Sequence, residues 1–383
     1  MHMNIAESST RLGAVRHLNN CVAVIALTTA VLGMQSRAEN PKAGSPGAPD
    51  HESAANFTLE NDSFFHTDHF YTNGAQIEVK QRTDARFELT KDTLAALCRS
   101  IGCVDDALLS TRFRLGQLMY TPTKIGIAQP QPEDRPWAGL LYYAHDYLFR
   151  SADERTLTTV TGLFGVTGPA SLSDQTQHVV HRLGHFTTPQ GWSNQIGPEL
   201  GLLASVEKKR AWSDAPLLGT ESGAQVRGNW YWRLAAGNVQ TYAALGATLV
   251  AGKRLPIVGP REAGSIVDKV MKLEPAPAAS PADTSCLVGW LQCSAFFTLE
   301  GRAMAYNVFL QGRMFGDDPH VTPQPFVYDA MLGVRLDFPN SSSSLTGPWF
   351  VQFKATRRSP EFRSTVAHVP SQSFGALTIG TEF

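Results

Sequence analysis

The chain has 383 residues and a formal net charge of −1, which argues against the basic surface that nucleic-acid-binding proteins present to phosphates. Charged residues make up 17% of the sequence, well below the roughly 25% usual for soluble domains. No long apolar run occurs in the body of the chain. This combination is typical of a membrane β-barrel, in which apolar residues occupy every second position of each strand.

The N-terminus has the pattern of an export signal. Arg11 and Arg16 precede an apolar stretch at residues 21–34, and Ser36 and Ala38 supply the small residues of a cleavage site. At about 14 residues the stretch is short for a membrane-anchoring helix, which is the alternative. We therefore predict a signal peptide at 1–38, a flexible polar mature N-terminus at 39–54, and a barrel domain at 55–383.

Period-two alternation recurs along the rest of the chain. In the second run, for example, Tyr71, Ala75, Ile77 and Val79 oppose Thr72, Gln76, Glu78 and Lys80. About twelve such runs occur, near residues 55–62, 70–82, 110–120, 137–149, 156–166, 195–207, 226–236, 240–252, 294–312, 327–338, 348–357 and 373–383.

An even number of runs suits a closed single-chain barrel. A soluble β-sandwich also alternates, but here the polar faces carry charges of both signs, and the chain ends on the aromatic Phe383. We therefore predict an all-β fold, a twelve-stranded antiparallel transmembrane β-barrel with a short helix in an extracellular loop.

Three polar-rich connections should lie at the outer rim of this barrel. With both termini in the periplasm, every odd-numbered strand runs outward, so the connections at 61–72, 121–136 and 167–194 face the exterior. The first contains Asn61, Asp62, His66, Asp68 and His69 and leads to Thr72. His66 and His69 are either loop histidines or rival candidates for a base or metal ligand.

The third outer connection contains the clearest short helix signal, residues 171–184. Ser171 or Ser173 can cap its N-terminus, Asp174 suits the first turn, and Gly184 can end it. Gln177 and His181 are four residues apart and so project from one face. The other side, to which we assign the packing contacts, is formed by Leu172, Val179, Val180 and Leu183.

Four cysteines remain beyond the signal peptide, as the close pairs Cys98–Cys103 and Cys286–Cys293. In an exported protein this spacing predicts two local disulfides. A zinc site built from all four thiolates is the alternative.

An imidazole, an amide, a carboxylate and a hydroxyl that converge at a membrane surface indicate a hydrolase. The residues that would do so stand in the segments LENDSFFHTDHFYTNG, DRPWAGLLY, VTGPASLSDQTQHVVHRLG and PQGWSNQ. Together these segments resemble the outer-membrane lipid A 3-O-deacylase family, and the likeness covers most of residues 55–383.

The resemblance implies a calcium-dependent enzyme that removes the 3-linked acyloxyacyl chain of lipid A. By position it places the catalytic histidine at His181 with Gln177 one turn before it, and the family's asparagine, aspartate and threonine at Asn61, Asp62 and Thr72. These last three are also the expected calcium ligands. The sequence departs from the family at its functional lysine, which lies deeper in the second outer connection: the only lysine there is Lys124, close to the strand end. Arg135 is the alternative candidate for contacting a lipid phosphate.

Two other functions remain open at this point. One is a non-catalytic pore or lipopolysaccharide-binding barrel, in which Asp329, Arg335 and Lys354 would line a channel. The other is an outer-membrane phospholipase. In each case the partners expected are lipid A or another lipid of the outer membrane, and the barrel-assembly machinery for insertion.

Overall fold

The protein is described by a computed structural model covering residues 54–65, 69–82, 106–151, 153–220, 223–253, 255–258, 261–264, 269–272, 291–338, 349–366 and 368–382, together with Thr93, Ala96 and Arg99. The signal peptide, His66, Asp68, Phe383 and the cysteines other than Cys293 lie outside these residues. Both disulfides therefore stay predictions.

Twelve strands form the wall. They are β1 Ala54–Asn61, β2 Phe70–Arg82, β3 Asp106–Thr121, β4 Ala138–Ser151, β5 Thr156–Thr167, β6 Leu200–Ala211, β7 Ala224–Gly237, β8 Gln240–Lys253, β9 Gln292–Asn307, β10 Phe326–Phe338, β11 Trp349–Arg358 and β12 Gln372–Glu382.

Each strand pairs antiparallel with its neighbours in sequence, and the first strand also pairs with the last. In β1 the residue opposite Phe57 is Ile77 on one side and Ile379 on the other. Since every strand then has two partners, the sheet has no free edge, and the predicted twelve-stranded closed barrel is confirmed.

Two predicted strand boundaries were wrong. β6 begins at Leu200 rather than near residue 195, because Pro198 lacks the N–H that a central strand must donate. β9 ends at Asn307, whose side-chain Oδ1 accepts a hydrogen bond from the Phe309 amide at 3.1 Å and so begins a short helix, Val308–Gln311.

All six connections after odd-numbered strands lie at one end of the barrel, which we call the outer rim: residues 62–69, 122–137, 168–199, 238–239, 308–325 and 359–371. The connection at 168–199 contains the helix α1, Ser173–Gly184. Thr322–Pro323 pairs with Phe362–Arg363 and so joins the last two outer connections. Within the described ranges, no helix is long and apolar enough to cross a membrane.

The inward side chains form a dense network of buried ion pairs. Its distances are 3.5 Å from Lys354 Nζ to Glu60 Oε1, 2.7 Å from Arg302 Nη2 to Asp329 Oδ2, 2.9 Å from Arg358 Nε to Asp329 Oδ1, 2.9 Å from Arg233 Nη2 to Glu207 Oε2, and 2.6 Å from Arg114 Nη2 to Asp146 Oδ1. Asp329, Arg335 and Lys354 are all buried. The interior is therefore filled by paired charges. An open channel would instead be lined by exposed charges.

The outward side chains are mostly apolar and exposed, as the predicted alternation requires. They include Leu115, Phe164, Leu234, Leu245, Leu299, Tyr328 and Leu332. The same parity places Asn61 with the outward set that contains Phe57 and Leu59, while Asp62 is buried.

The side of Tyr71 was predicted wrongly. A bulge at Thr72 makes Tyr71 and Asn73 oppose adjacent residues of β3, so the phase of the alternation changes there. Tyr71 consequently points inward, and its hydroxyl lies 2.5 Å from Glu60 Oε2. Gly74 permits this, because a Cβ at that position would overlap the Tyr71 hydroxyl.

Candidate functional site

The helix α1 lies against the wall with its polar face. Ser173, Gln177 and His181, spaced four apart, are its buried residues. Leu172, Val179, Val180 and Leu183, predicted to pack against the protein, are instead exposed. That prediction was wrong because it took the apolar side of an amphipathic helix to face a protein core, whereas this helix lies beside a lipid-facing wall.

The N-terminal end of α1 sits on the outward side of β3 and β4. Gln117, an outward residue of β3, donates from Nε2 to the Ser171 carbonyl at 2.7 Å. On β4, Gly139 leaves room for Ser171 and Ser173, whose hydroxyls a Cβ would overlap. The predicted serine cap is not found: the N-cap residue is Leu172, at φ 60°, and no side chain caps the helix.

His181 is oriented by a hydrogen bond within its own connection. Its Nδ1 lies 2.6 Å from the carbonyl oxygen of Thr187. Since a carbonyl can only accept, Nδ1 carries the proton, and in the neutral imidazole Nε2 is then the basic atom. The Phe186 ring forms a T-shaped contact with the imidazole, with centroids 5.6 Å apart. The Phe186 amide in turn donates to the His181 carbonyl at 2.9 Å.

Gln177 is fixed by a tryptophan from the end of the same connection. The Trp192 indole Nε1 donates to Gln177 Oε1 at 2.7 Å, and Trp192 packs on Trp137 at 5.0 Å between centroids. Both indoles belong to a buried cluster with Met119 and Ile125. Among the described residues, Gln177 Nε2 is buried and has no hydrogen-bond partner, so its donor is available to a bound molecule.

The strand register relates the position of α1 on β3 and β4 to the first strand, β1. Asn61 is opposite Asn73, Asn73 is opposite Met119, and Met119 is opposite Gly139. These four residues form a row at one height on the outward side of the wall. The row spans about 14 Å at the usual strand spacing, and α1, with 12 residues, is about 18 Å long. The helix is therefore long enough to extend over the row from its seat beside Gly139.

Asn61 and Asp62 organise the turn after β1. Asn61 Oδ1 accepts from the Ser63 amide at 2.7 Å, and Asp62 Oδ2 accepts from the His69 amide at 2.7 Å. His69 Nδ1 lies 4.0 Å from the same Asp62 oxygen. Burial lowers the pKa of His69; Asp134 opposes this shift and Arg135 adds to it. The neutral form of His69 is thereby favoured.

Thr72 is the extra residue of the β2 bulge, and its hydroxyl lies 2.7 Å from the Thr121 hydroxyl at the end of β3. The bulge therefore places Thr72 at the junction between the first and second outer connections. The second of these connections is itself tied to the third, since the Gln190 amide donates to the Ile125 carbonyl and the Ile196 amide to the Trp137 carbonyl, both at 2.9 Å.

The two predicted phosphate-binding cations have different surroundings. Arg135 is buried, with Nη1 3.2 Å from Glu361 Oε2 and its guanidinium 4.3 Å above the Tyr120 ring. It neutralises a carboxylate of the protein, which does not suit a contact with a phosphate at the surface. Lys124 is exposed and better placed for that role.

Calcium is the cofactor that the resemblance implied. Asn61, Asp62 and Thr72 offer amide, carboxylate and hydroxyl oxygens, the donor types that Ca²⁺ prefers. Asn61 Oδ1 accepts one hydrogen bond, from the Ser63 amide, and an amide oxygen can accept twice. In the part of the chain that the structure describes, no group of three His, Cys, Asp or Glu side chains is arranged to hold a metal, so an ion here would depend on mixed oxygen ligands.

The sequence profile of a family described as Outer membrane protein LpxR matches residues 22–383. The chain belongs to this family. It is thus an outer-membrane protein, as the predicted barrel indicated. The structure of LpxR from Salmonella typhimurium is similar at a TM-score of 0.63 and 15% identity, over 86% of this chain and 100% of that one.

Two other barrels are much less similar to this chain than that structure is. The translocator domain of autotransporter NalP from Neisseria meningitidis has a TM-score of 0.36 at 8% identity, with 97% of each chain covered. The KdgM porin has a TM-score of 0.31 at 5% identity, over 86% of this chain and 99% of that one. No curated protein sequence matches the chain.

Three structural partners of the predicted residues were not identified from sequence. They are Trp192, Gly139 and the Thr187 carbonyl. Trp192 and Gly139 contact residues that are distant in sequence, and Thr187 acts through its backbone. Trp192 and Gly139 stand within the motifs PQGWSNQ and DRPWAGLLY, but only the fold shows what they contact.

Proposed function

We propose that the protein is a lipid A 3-O-deacylase that hydrolyses the ester of the 3-linked acyloxyacyl chain with His181 as general base. Membership of the LpxR family supports the substrate class. The observation that carries the mechanism is the seat of His181: a buried imidazole whose Nδ1 proton is held by a carbonyl, on the face of α1 that meets the outward side of the wall.

In this mechanism His181 Nε2 takes a proton from water as the water oxygen attacks the ester carbonyl carbon. The carbonyl π electrons move to oxygen, giving a tetrahedral oxyanion. When that intermediate collapses, the bond to the 3-oxygen of glucosamine breaks, and this oxygen receives the proton from the imidazolium. The products are a free acyloxyacyl carboxylic acid, which keeps its secondary acyl chain, and a lipid A with a free 3-hydroxyl.

Gln177 is assigned to the developing oxyanion. Its Oε1 is occupied by Trp192, which turns the amide so that Nε2 is the remaining donor. A positioned donor of this kind typically contributes on the order of 10²–10³ in rate.

Asn61, Asp62 and Thr72 are the proposed holders of a calcium ion, which when bound supplies positive charge near the reacting carbonyl. The protein's own part is to fix the three oxygens through the Ser63, His69 and Thr121 contacts. The exposed Lys124 is assigned to a phosphate of the lipid, as a mobile point charge.

The direct test uses purified protein in detergent with lipid A, in the presence of calcium or of a chelator. We expect His181→Ala to lower the rate by about 10³-fold or more while the barrel keeps its heat-modifiable migration. Loss of activity on chelation would support the calcium site. Full activity of His181→Ala would remove the histidine from its assigned role.

The same preparation discriminates the two alternative functions. Hydrolysis of glycerophospholipid in preference to lipid A would identify a phospholipase. Stable conductance steps in planar bilayers without any change in lipid A would identify a pore, an outcome that the buried ion pairs of the interior disfavour. Insertion of the barrel by the barrel-assembly machinery is expected under every one of these functions.

A further inference from the structure

The exposed side of α1 divides into two flanks of opposite character. With 3.6 residues per turn and Ser173 placed at 0°, the buried Ser173, Gln177 and His181 occupy about 0–80°. Polar residues follow at about 100–200°: Asp174, His178, Gln175 and Arg182. Apolar residues occupy about 240–340°: Val179, Leu183 and Val180, with Leu172 just before the helix at the same angle as this group.

We call Leu172, Val179, Val180, Leu183 and the following Phe186 the apolar flank. Their exposed fractions are 51%, 53%, 44%, 69% and 45%. Thr176, which lies within the same arc, donates its hydroxyl to the Leu172 carbonyl at 3.0 Å and so presents its methyl group. The flank therefore forms an unbroken apolar strip along the helix.

The opposite flank is suited to water. Asp174 Oδ1 lies 2.6 Å from His178 Nδ1, with roughly a third of each side chain exposed. Gln175 and Arg182 are also exposed. A helix with its polar and apolar sides on opposite flanks is the kind that lies at a membrane interface with its apolar side among acyl chains.

The helix that carries the apolar flank adjoins the lipid-facing wall. α1 follows β5 after a single turn, Gly168–Ser171, and its connection leads into β6. The outward residues of these two strands nearest the outer rim are exposed apolar side chains, among them Phe164, Leu200 and Leu202. α1 itself lies on the outward side of β3 and β4, where the lipid-facing wall further from the rim includes the exposed Leu115 and Tyr143.

Phe186 connects the flank to the imidazole. Its ring forms a T-shaped contact with the His181 ring, and 45% of the residue is exposed. Gly184 allows the ring to pack against the helix end, because a Cβ there would overlap it. Phe186 therefore belongs to the exposed apolar flank and also contacts the imidazole.

We propose that the apolar flank of α1 is immersed among the acyl chains of the outer leaflet, and that a lipid acyl chain reaches His181 along Phe186 without leaving the membrane. The immersion stands on the geometry of the helix alone. The delivery of an ester to His181 rests on the proposed function.

Immersion is tested by placing a fluorophore on each flank of the full-length protein in phospholipid vesicles. Leu183→Trp lies on the apolar flank, and Gln175→Trp is its matched control on the polar flank. In Leu183→Trp, the fluorescence in excess of that of the native tryptophans should be quenched by phospholipids brominated on their acyl chains. For Gln175→Trp it should be quenched by aqueous acrylamide. The reverse pattern, or equal lipid quenching of both, would overturn the proposal.

Delivery is tested with a charge on each flank. Leu183→Glu should lower the initial rate of lipid A deacylation in vesicles about tenfold, because a carboxylate resists immersion, while Gln175→Glu should not. In detergent micelles both variants should match the wild type within about twofold, since dispersed substrate does not depend on immersion. Equal rates of the two variants in vesicles would refute delivery. If the wild type deacylates nothing, the proposed function fails, and the quenching result still decides the immersion.

Discussion

At the scale of single residues, the site depends on how two side chains of α1 are held. His181 is oriented by a backbone carbonyl, whereas Gln177 depends on the indole of Trp192. If either hydrogen bond were made to a different group, a different atom of the imidazole or of the Gln177 amide would face the substrate. The roles assigned to the imidazole and the amide thus rest on contacts made within the residues that follow the helix.

Removing the indole N–H should weaken catalysis without unfolding the barrel. Trp192→Phe keeps an aromatic ring beside Trp137 but leaves Gln177 Oε1 buried and unpaired, which costs about 1–3 kcal/mol and frees the amide to rotate. We expect kcat on lipid A to fall about tenfold with KM nearly unchanged. The control is Trp212→Phe, an exposed tryptophan at the opposite rim. A wild-type kcat for Trp192→Phe would show that the hydrogen bond does not position Gln177.

His69 should make the stability of the protein depend on pH. Burial lowers its pKa from 6.5, partly opposed by Asp134 and reinforced by Arg135. The unfolded chain then binds the proton more tightly than the folded protein does. The free energy of unfolding therefore falls as the pH is lowered from 6.5 to the lowered pKa of the folded protein. Above 6.5 both states are neutral and the histidine has no such effect.

The measurement compares wild type and His69→Gln by urea unfolding in lipid at about pH 7.5 and about pH 5. The wild type should lose more stability on acidification than the variant does. An identical pH dependence of the two proteins would show that His69 is not held neutral by its surroundings.

At the scale of elements, the seat of α1 depends on a glycine of the wall. Gly139→Ala would place a methyl group against the Ser171 and Ser173 hydroxyls and lift the N-terminal end of the helix. Overpacking of this kind typically costs about 1–3 kcal/mol, and we expect deacylation to fall about tenfold or more. Gly162→Ala in β5 is the control, because open space surrounds that position. Both barrels should migrate as folded proteins, and equal activity of the two variants would contradict the seat.

Much of this architecture could be predicted from sequence, because lipid on one side and ion pairs on the other impose alternation along whole strands. The bulge at Thr72 could not, since one extra residue changes the phase without changing the composition. The exposed side of α1 was missed for a related reason: its amphipathic pattern does not reveal whether lipid or protein covers Val179 and Leu183. Strand parity predicted the rim that carries His181, and only the register showed which strands lie beneath it.

At the scale of the whole molecule, buried ion pairs hold the barrel together from inside. Glu60 and Lys354 lie on strands that both flank β12 and are almost fully buried. Glu60→Met would remove the carboxylate that lies 3.5 Å from Lys354 Nζ, and we expect the free energy of unfolding to fall by about 3–5 kcal/mol. Replacing both residues by methionine should recover at least half of that loss, measured by urea unfolding in lipid. A double variant as unstable as Glu60→Met would show that the pair is not coupled.

The measurement that tests the central claim most directly is the mass spectrum of lipid A from cells that make the wild type, His181→Ala or His178→Ala. The two histidines stand on one helix, but only His181 faces the wall, while His178 pairs with Asp174 on the polar flank. Wild type and His178→Ala should yield lipid A lacking the 3-linked acyloxyacyl chain, and His181→Ala should leave it intact. Deacylated lipid A from cells making His181→Ala would contradict the account.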